Sequence, residues 1–293
     1  MRYPFWVGES VWLNSNNNEQ IAPVLLAGLN ESLPLSSSSK GNRQPLIFWF
    51  HKGGFVVGHA AERDWVPRLV NRGFIVASIE YPLSPEHVFP DAFEMSLRTI
   101  KFYLTETGLS KIRQHFPNVD TYQIAVGGYS AGGNLAASIS QRLAQEGVSL
   151  KAHLISSGAL RVHDFSQPSN SLSNEKFKSL EKYANYATLT RGDLEFFWRS
   201  ICPKYETCLN DSRINVPMGL SAKSSPGIVF VGSHDVLRDE NTQYVEDLKR
   251  LGVKSTLVLA RGTHWGSVLF DIDSINRAID RLKSCMEMDS CDF

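Results

Sequence analysis

The most informative segment of the sequence is residues 123–134, Gln-Ile-Ala-Val-Gly-Gly-Tyr-Ser-Ala-Gly-Gly-Asn. A β-rich run at 122–128 leads in, and a helix-forming run at 131–146 leads out and ends at Gly147. Gly128 and Gly132 flank Ser130 at a spacing that removes Cβ atoms from a tight strand-to-helix turn. The pattern predicts that Ser130 lies at a helix N-terminus, where backbone N–H groups and the helix dipole favour a developing oxyanion. A glycine-rich turn without chemistry is the plain alternative.

Strands and helices alternate on both sides of this turn. The predicted strands are residues 45–50, 74–79, 122–128, 150–156, 227–231 and 253–259. The predicted helices are residues 62–72, 91–107, 131–146, 238–251 and 270–288. Such alternation is typical of βαβ units, and it predicts an α/β fold with a mainly parallel central sheet flanked by helices.

The alternation fails in two regions, and these define the predicted domain organisation. Residues 1–44 are irregular, with one short helix expected over 21–29, and we interpret them as an N-terminal cap segment. Residues 45–293 form the main domain. An insertion at about 161–223 is polar and helix-prone, and we expect it to add a small helical cap. The aromatic residues expected in the cap are Phe5, Trp6, Trp12, Tyr183, Tyr186, Phe196, Phe197 and Trp198.

Composition excludes several classes of protein. The chain has 293 residues, formal net charge +0, 42% hydrophobic and 20% charged residues. This is an ordinary globular composition, and it predicts no attraction to nucleic acid or anionic lipid. No apolar run approaches the ~18 residues of a membrane span, so we expect no stable membrane insertion. The first residues do not resemble a signal peptide, and we expect a cytoplasmic protein, with secretion as the alternative.

The four cysteines form two local pairs, Cys202 with Cys208 and Cys285 with Cys291. They lack C-x-x-C spacing and nearby histidines, so they do not predict a metal site. Free thiols in a reducing compartment are our expectation, and two small disulfide loops are the alternative.

A second glycine-rich turn follows the predicted strand 45–50, at His51-Lys52-Gly53-Gly54-Phe55. Adjacent glycines let the main chain approach a ligand and present its N–H groups. Gly53 and Gly54, together with the Ala131 N–H, are therefore candidate oxyanion-hole donors. We expect His51 to brace this loop. Lys52 is either an exposed loop residue or a contact for an acidic substrate.

The candidate acid and base follow two later strands. Asp235 comes directly after strand 227–231, and His264 comes shortly after strand 253–259. Both positions are at carboxyl ends of parallel strands, where loops gather around ligands. A serine hydroxyl needs a base, and the base needs a carboxylate to fix its tautomer, so we predict a Ser130, Asp235 and His264 triad. Asp239 is the competing acid. The competing bases are His51, His59, His87, His115, His153, His163 and His234.

Four segments, taken in chain order, resemble the hormone-sensitive-lipase-like serine esterases of the α/β-hydrolase fold. The family motif H-G-G-G corresponds to residues 51–54 and Y-x-L-x-P-E-x-x-F-P to 81–90. The motif G-D-S-A-G-G-N corresponds to residues 128–134 and D-x-L-x-D-E to 235–240. Two residues depart from the pattern: Lys52 replaces a glycine and Tyr129 replaces an aspartate. The resemblance covers about residues 45–285.

The resemblance implies a carboxylesterase that cleaves short to medium acyl esters through an acyl-enzyme. We expect a small-molecule ester substrate, no organic cofactor and no metal; a homodimer is an open alternative to a monomer. Candidate substrate-binding residues are Phe55, Tyr129 and Trp265. An amidase, deacetylase or acyl transferase would use the same triad. A non-catalytic receptor of this fold is a further alternative, against which the presence of His264 argues.

Overall fold

The computed structural model describes residues 9–13, 21–29, 43–165, 176–287 and 291. Within this part of the chain, eight strands form one sheet in the order β1-β2-β4-β3-β5-β6-β7-β8. The strands are β1 Glu9–Leu13, β2 Val24–Gly28, β3 Gln44–Phe50, β4 Ile75–Ile79, β5 Val119–Tyr129, β6 Ala152–Ser156, β7 Gly227–Gly232 and β8 Ser255–Ala260. β2 is antiparallel to both of its neighbours, and every other pair is parallel. The prediction of a mainly parallel sheet is confirmed.

Helices cover both faces of this sheet. They are α1 Val66–Asn71, α2 Asp91–Tyr103, α3 Glu106–His115, α4 Ala131–Gln145, α5 Lys178–Lys182, α6 Arg191–Ile201, α7 Tyr205–Leu209, α8 Arg238–Arg250, α9 Gly266–Phe270 and α10 Ile272–Glu287. In β3, Phe48 and Phe50 join the buried layer beneath α2, α4 and α8, whereas Ile47 and Trp49 join the layer beneath α1 and α10. This alternation follows from the period of two along a strand. It explains why β3 is apolar from Pro45 to Phe50.

The expected helix over residues 21–29 is wrong. Residues Val24–Gly28 form β2, a fully buried strand that pairs with β4 and with the edge strand β1. An apolar run of this length does not distinguish a buried strand from a buried helix by periodicity. The described parts of residues 1–44 therefore belong to the central sheet, and the interpretation of that region as a cap is wrong for them. Phe5 and Trp6 lie outside the described residues.

The expected single helix over residues 91–107 is divided in two. α2 ends at Tyr103, and the side chain of Thr105 accepts a hydrogen bond from the Gly108 N–H, which caps the start of α3. Threonine is a favoured N-cap residue because its hydroxyl satisfies a free N–H group of the first helical turn.

Both pairs of cysteines form disulfides, Cys202 with Cys208 and Cys285 with Cys291. The expectation of free thiols is therefore wrong. Each bond closes a short loop, the first directly after α6 and the second at the end of α10. Disulfides are typical of oxidising compartments, so the cysteines give no support to the cytoplasmic expectation. Among the described helices, none has the length and hydropathy of a membrane span.

Candidate active site

Ser130 occupies a strained turn between β5 and α4. Its backbone dihedrals are φ 58° and ψ −117°, a region that non-glycine residues rarely adopt. A Cβ on Gly128 would lie 2.1 Å from the Gly132 carbonyl oxygen, and a Cβ on Gly132 would lie 2.1 Å from that of Phe50. Only glycine fits at either position. The Ser130 N–H donates to the Ser156 carbonyl at 2.9 Å, which anchors the turn to the neighbouring strand β6.

Ser130, His264 and Asp235 are joined by two hydrogen bonds. His264 Nε2 lies 3.1 Å from Ser130 Oγ, and His264 Nδ1 lies 2.9 Å from Asp235 Oδ2. With the proton on Nδ1, the imidazole donates to the carboxylate and accepts from the serine hydroxyl. All three residues are buried, with Asp235 the most enclosed. The structure thus brings together the three side chains that the sequence singles out.

Asp235 is held in place by its own loop. It lies in the turn after β7, and its Oδ1 accepts a hydrogen bond from the Leu237 N–H at 3.0 Å. The competing acid Asp239 faces elsewhere: its carboxylate accepts from the Ser179 N–H at 2.7 Å and pairs with Arg238. Asp239 therefore anchors α5 to the start of α8 and does not contact His264.

The loop after β3 lies against the Ser130 turn. The Cβ position of Gly132 meets the carbonyls of both Phe50 and His51, so the two main chains are in direct contact. Gly53 and Gly54 have φ 125° and φ 62°, which glycine adopts without strain. Within the described residues, the N–H groups of Gly53, Gly54 and Ala131 donate to no backbone carbonyl. Binding of an oxyanion by these three N–H groups stays a prediction.

His51 is buried beneath this loop. Its Nδ1 donates to the Lys52 carbonyl at 2.7 Å, and its ring stacks on Tyr81 at 4.1 Å between centroids. The Tyr81 hydroxyl donates to the His51 carbonyl at 2.8 Å. Burial lowers the pKa of His51 to about 4, so the imidazole stays neutral at physiological pH. These contacts agree with the expectation that His51 braces the loop.

The three candidate substrate-binding residues occupy different environments. Tyr129 has no exposed surface, and its hydroxyl donates to the His264 carbonyl at 2.8 Å, so the prediction of a substrate contact is wrong for this residue. Phe55 is buried against Tyr81 and Trp198. Trp265 is 43% exposed beside His264. A substrate role stays a prediction for Phe55 and Trp265.

Helix α6 of the insertion lies directly over the loop that carries Gly53 and Gly54. A Cβ on Gly54 would lie 2.3 Å from the ring of Phe197, so that ring rests on the Gly54 Cα. The ring of Trp198 lies 6.1 Å from that of Phe55 between centroids. The insertion therefore contacts the candidate oxyanion loop through aromatic side chains.

Lys52 does not offer a free positive charge. Its ammonium pairs with Asp64 and lies 4.0 Å from the centroid of the Trp265 ring. The interpretation of Lys52 as a contact for an acidic substrate therefore has no support in the structure, because its charge is already partnered.

Several residues that support the site were not predicted from the sequence. Asn134 Nδ2 donates to the carbonyls of Ala159 and Ile214, which ties α4 to the insertion. Glu240 accepts from the Leu160 N–H at 2.7 Å and from His163 at 2.6 Å, which holds the segment after β6. Asn134 and Glu240 both lie within the family motifs matched above, and that position is the sequence signal that could have identified them.

Thr188 is a further supporting residue, and no sequence signal marks it. Its hydroxyl donates to Thr263 Oγ1 and accepts from the Trp265 N–H, each at 3.2 Å. Its φ of 89° is unusual for a β-branched residue. The insertion thus contacts Thr263 and Trp265, the residues that precede and follow His264 in the sequence.

Comparison with a protein-family model and with solved structures identifies the family of this chain. The family model Abhydrolase_3, described as alpha/beta hydrolase fold, matches residues 47–268, which is more than half of the chain. The chain belongs to the hormone-sensitive-lipase-like family of α/β hydrolases. A solved structure, a Pyrobaculum calidifontis esterase, is similar with a TM-score of 0.76 and 26% identity, covering 96% of this chain and 85% of that one.

Curated relatives of this chain carry several functions in their names. Esterase LipI of Mycobacterium tuberculosis is 29% identical over 82% of this chain and 72% of its own. Mouse arylacetamide deacetylase is 31% identical over 52% of this chain and 36% of its own. The Arabidopsis thaliana gibberellin receptor GID1B is 25% identical over 73% and 58%. The chain spans 27% to 62% of the length of the first curated relatives that it matches.

Proposed function

We propose that this chain is a serine carboxylesterase that cleaves esters with short to medium acyl chains through an acyl-enzyme. The observation that carries the proposal is the hydrogen-bonded series from Ser130 through His264 to Asp235, with Ser130 on a strained turn at a helix N-terminus. Esterases among the relatives and the solved structures support the same chemistry.

The proposed reaction begins at the Ser130 hydroxyl. Its oxygen attacks the ester carbonyl carbon while His264 Nε2 takes its proton, and Asp235 stabilises the resulting imidazolium. The carbonyl oxygen gains negative charge, which the N–H groups of Gly53, Gly54 and Ala131 bind. Each such donor typically contributes about 3 kcal/mol in the transition state.

Collapse of this intermediate completes the first half of the reaction. The carbon–oxygen bond to the alcohol breaks, and His264 returns the proton to the departing alcohol oxygen, which leaves the acyl group on Ser130. A water molecule then attacks the acyl carbon, with His264 Nε2 taking its proton. The serine oxygen leaves, recovers that proton, and the acid is released.

The preference for short acyl chains is argued from the insertion. α5, α6 and α7 are short helices, and α6 places the Phe197 ring against Gly54 of the oxyanion loop. Phe55 and Trp198 are packed together beneath it. Aromatic side chains this close to the proposed donors leave little length for an acyl chain beside the serine.

Two alternatives keep the same site. A deacetylase or amidase would use an identical triad, and mouse arylacetamide deacetylase is a relative. A receptor is the second alternative, since GID1B is also a relative. The hydrogen bond between His264 and Ser130 favours catalysis, because a binding module has no need of an activated hydroxyl.

A homodimer stays a prediction that light scattering would test.

Substitution of the serine tests the proposal. Ser130→Ala is expected to lower kcat on p-nitrophenyl acetate by about 10³-fold or more, with an unchanged Tm. Ser110→Ala, on α3 away from the site, is the matched control and is expected to leave kcat unchanged. Ser130→Ala protein with wild-type turnover would contradict the assignment.

A further inference from the structure

The two residues that depart from the family motifs lie together in the folded chain. Lys52 stands in the loop after β3, and Tyr129 ends β5. The Lys52 ammonium nevertheless lies 5.2 Å from the centroid of the Tyr129 ring. Their proximity suggests that the two departures act as one unit rather than as separate substitutions.

Tyr129 contacts the loop that carries His264, the candidate base. Its hydroxyl donates to the main-chain carbonyl of His264 at 2.8 Å, and its ring lies 5.4 Å from the imidazole between centroids. Both residues are buried. Burial and the nearby Asp235 carboxylate hold the pKa of Tyr129 well above its usual range, so the hydroxyl remains a donor wherever the enzyme is folded.

Lys52 contacts Trp265, the next residue of the same loop. Its ammonium lies 4.0 Å from the Trp265 ring centroid, within the range of a cation–π interaction. The ion pair with Asp64 fixes the ammonium over that ring. Trp265 directly follows His264, so Tyr129 and Lys52 contact adjacent residues of the same loop.

We propose that Lys52 and Tyr129 together are positioning residues for His264, Tyr129 through the His264 carbonyl and Lys52 through the Trp265 ring. Neither side chain touches Ser130 Oγ, and both act through the loop that carries the imidazole. The inference rests on the proposed esterase function. General-base catalysis requires the imidazole within hydrogen-bond reach of the serine, and a displacement of about 1 Å costs up to about 100-fold in rate.

The test compares steady-state kinetics on p-nitrophenyl acetate with thermal unfolding. Tyr129→Phe and Lys52→Met are each expected to lower kcat about 10- to 100-fold and to change KM by less than about twofold. Lys52→Arg keeps a cation over Trp265 and is expected to recover most of the lost kcat. The matched controls are Tyr122→Phe and Lys223→Met, both at exposed positions, and wild-type kinetics are expected for them.

A double-mutant cycle separates positioning from general destabilisation. If both residues act on one loop, Tyr129→Phe combined with Lys52→Met lowers kcat by less than the product of the two single effects. Fluorophosphonate labelling rates, measured below each variant's Tm, extend the comparison to variants of reduced stability. Single variants that keep kcat and labelling within about twofold of wild type would overturn this inference alone. Wild-type protein that is not labelled at Ser130 would instead contradict the proposed function.

Discussion

The ring of Phe197 rests on the Cα of Gly54, so closely that a Cβ on that glycine would lie 2.3 Å from it. Gly54 belongs to the loop that we propose binds the oxyanion, and Phe197 belongs to helix α6 of the insertion. We therefore propose that the Phe197 ring forms a side wall of the acyl site. On this proposal, the ring limits the length of the acyl chain that the site accepts.

Phe197→Ala is expected to move the preferred acyl chain toward greater length. Removal of the ring opens space directly beside Gly54, and a longer acyl group then fits without displacing α6. A p-nitrophenyl ester series from acetate to palmitate measures kcat/KM for each length. Phe196→Ala is the matched control, because Phe196 is 58% exposed on the same helix. An unchanged length profile in Phe197→Ala would show that this ring does not line the acyl site.

Stability is expected to fall in mild acid because His153 is buried as a neutral imidazole. Its Nδ1 lies 3.0 Å from Ser225 Oγ and its Nε2 lies 3.0 Å from the Tyr244 hydroxyl, and burial lowers its pKa from 6.5 to about 4. Between pH 6.5 and 4 the unfolded chain binds a proton at this residue and the folded chain does not. The His153 contribution is therefore complete above pH 6.5 and decreases as pH falls, by up to roughly 3 kcal/mol.

Comparison of variants isolates this histidine from other groups. His51 titrates with the same sign, since burial also lowers its pKa to about 4. Glu62 acts with the opposite sign, because burial and then Asp64 raise its pKa to about 7. Urea unfolding of wild type and His153→Gln at pH 7.0, 5.5 and 4.5 is the measurement. The variant is expected to show a smaller loss on acidification, and His115→Gln, at an exposed position, the wild-type loss. Equal losses in His153→Gln and wild type would contradict this account.

The disulfide between Cys202 and Cys208 is expected to stabilise the end of α6. On the chain-entropy model, removal of a crosslink that closes a loop this short lowers the free energy of unfolding by about 2 kcal/mol. The double variant Cys202→Ser with Cys208→Ser is expected to have a lower Tm than wild type in the absence of reductant. Titration of unfolded, unreduced protein with a thiol reagent is the direct check. Four free thiols in protein purified without reductant would contradict the pairing.

Most of the fold could be predicted because glycines mark the ends of several helices that separate its strands. Gly73, Gly147 and Gly252 all adopt positive φ at or just after helix ends, as their positions in the sequence suggested. β2 was not predicted, because its Leu-Leu-Ala run is as compatible with a buried helix as with a buried strand, whereas β3, β4 and β7 are rich in β-branched and aromatic residues. Its environment is set by β1 and β4, which are distant in sequence from one another.

The candidate site could likewise be predicted only in part. Ser130, Asp235 and His264 follow strand ends, so parallel topology alone brings them to one edge of the sheet. Tyr129 stands next to Ser130 in sequence, yet its hydroxyl donates to the His264 carbonyl, a contact across 135 positions that no local pattern encodes. The contact of Thr188 with the His264 loop depends on how the insertion folds back, which no local pattern encodes.

Covalent labelling of the nucleophile tests whether Ser130 is the residue that attacks the substrate. Intact protein is treated with a fluorophosphonate, digested, and the adduct is located by mass spectrometry. We expect one adduct, on Ser130, with labelling abolished in Ser130→Ala and slowed by several orders of magnitude in His264→Ala. Folded wild-type protein that remains unlabelled, or that carries the adduct on another residue, would contradict the account.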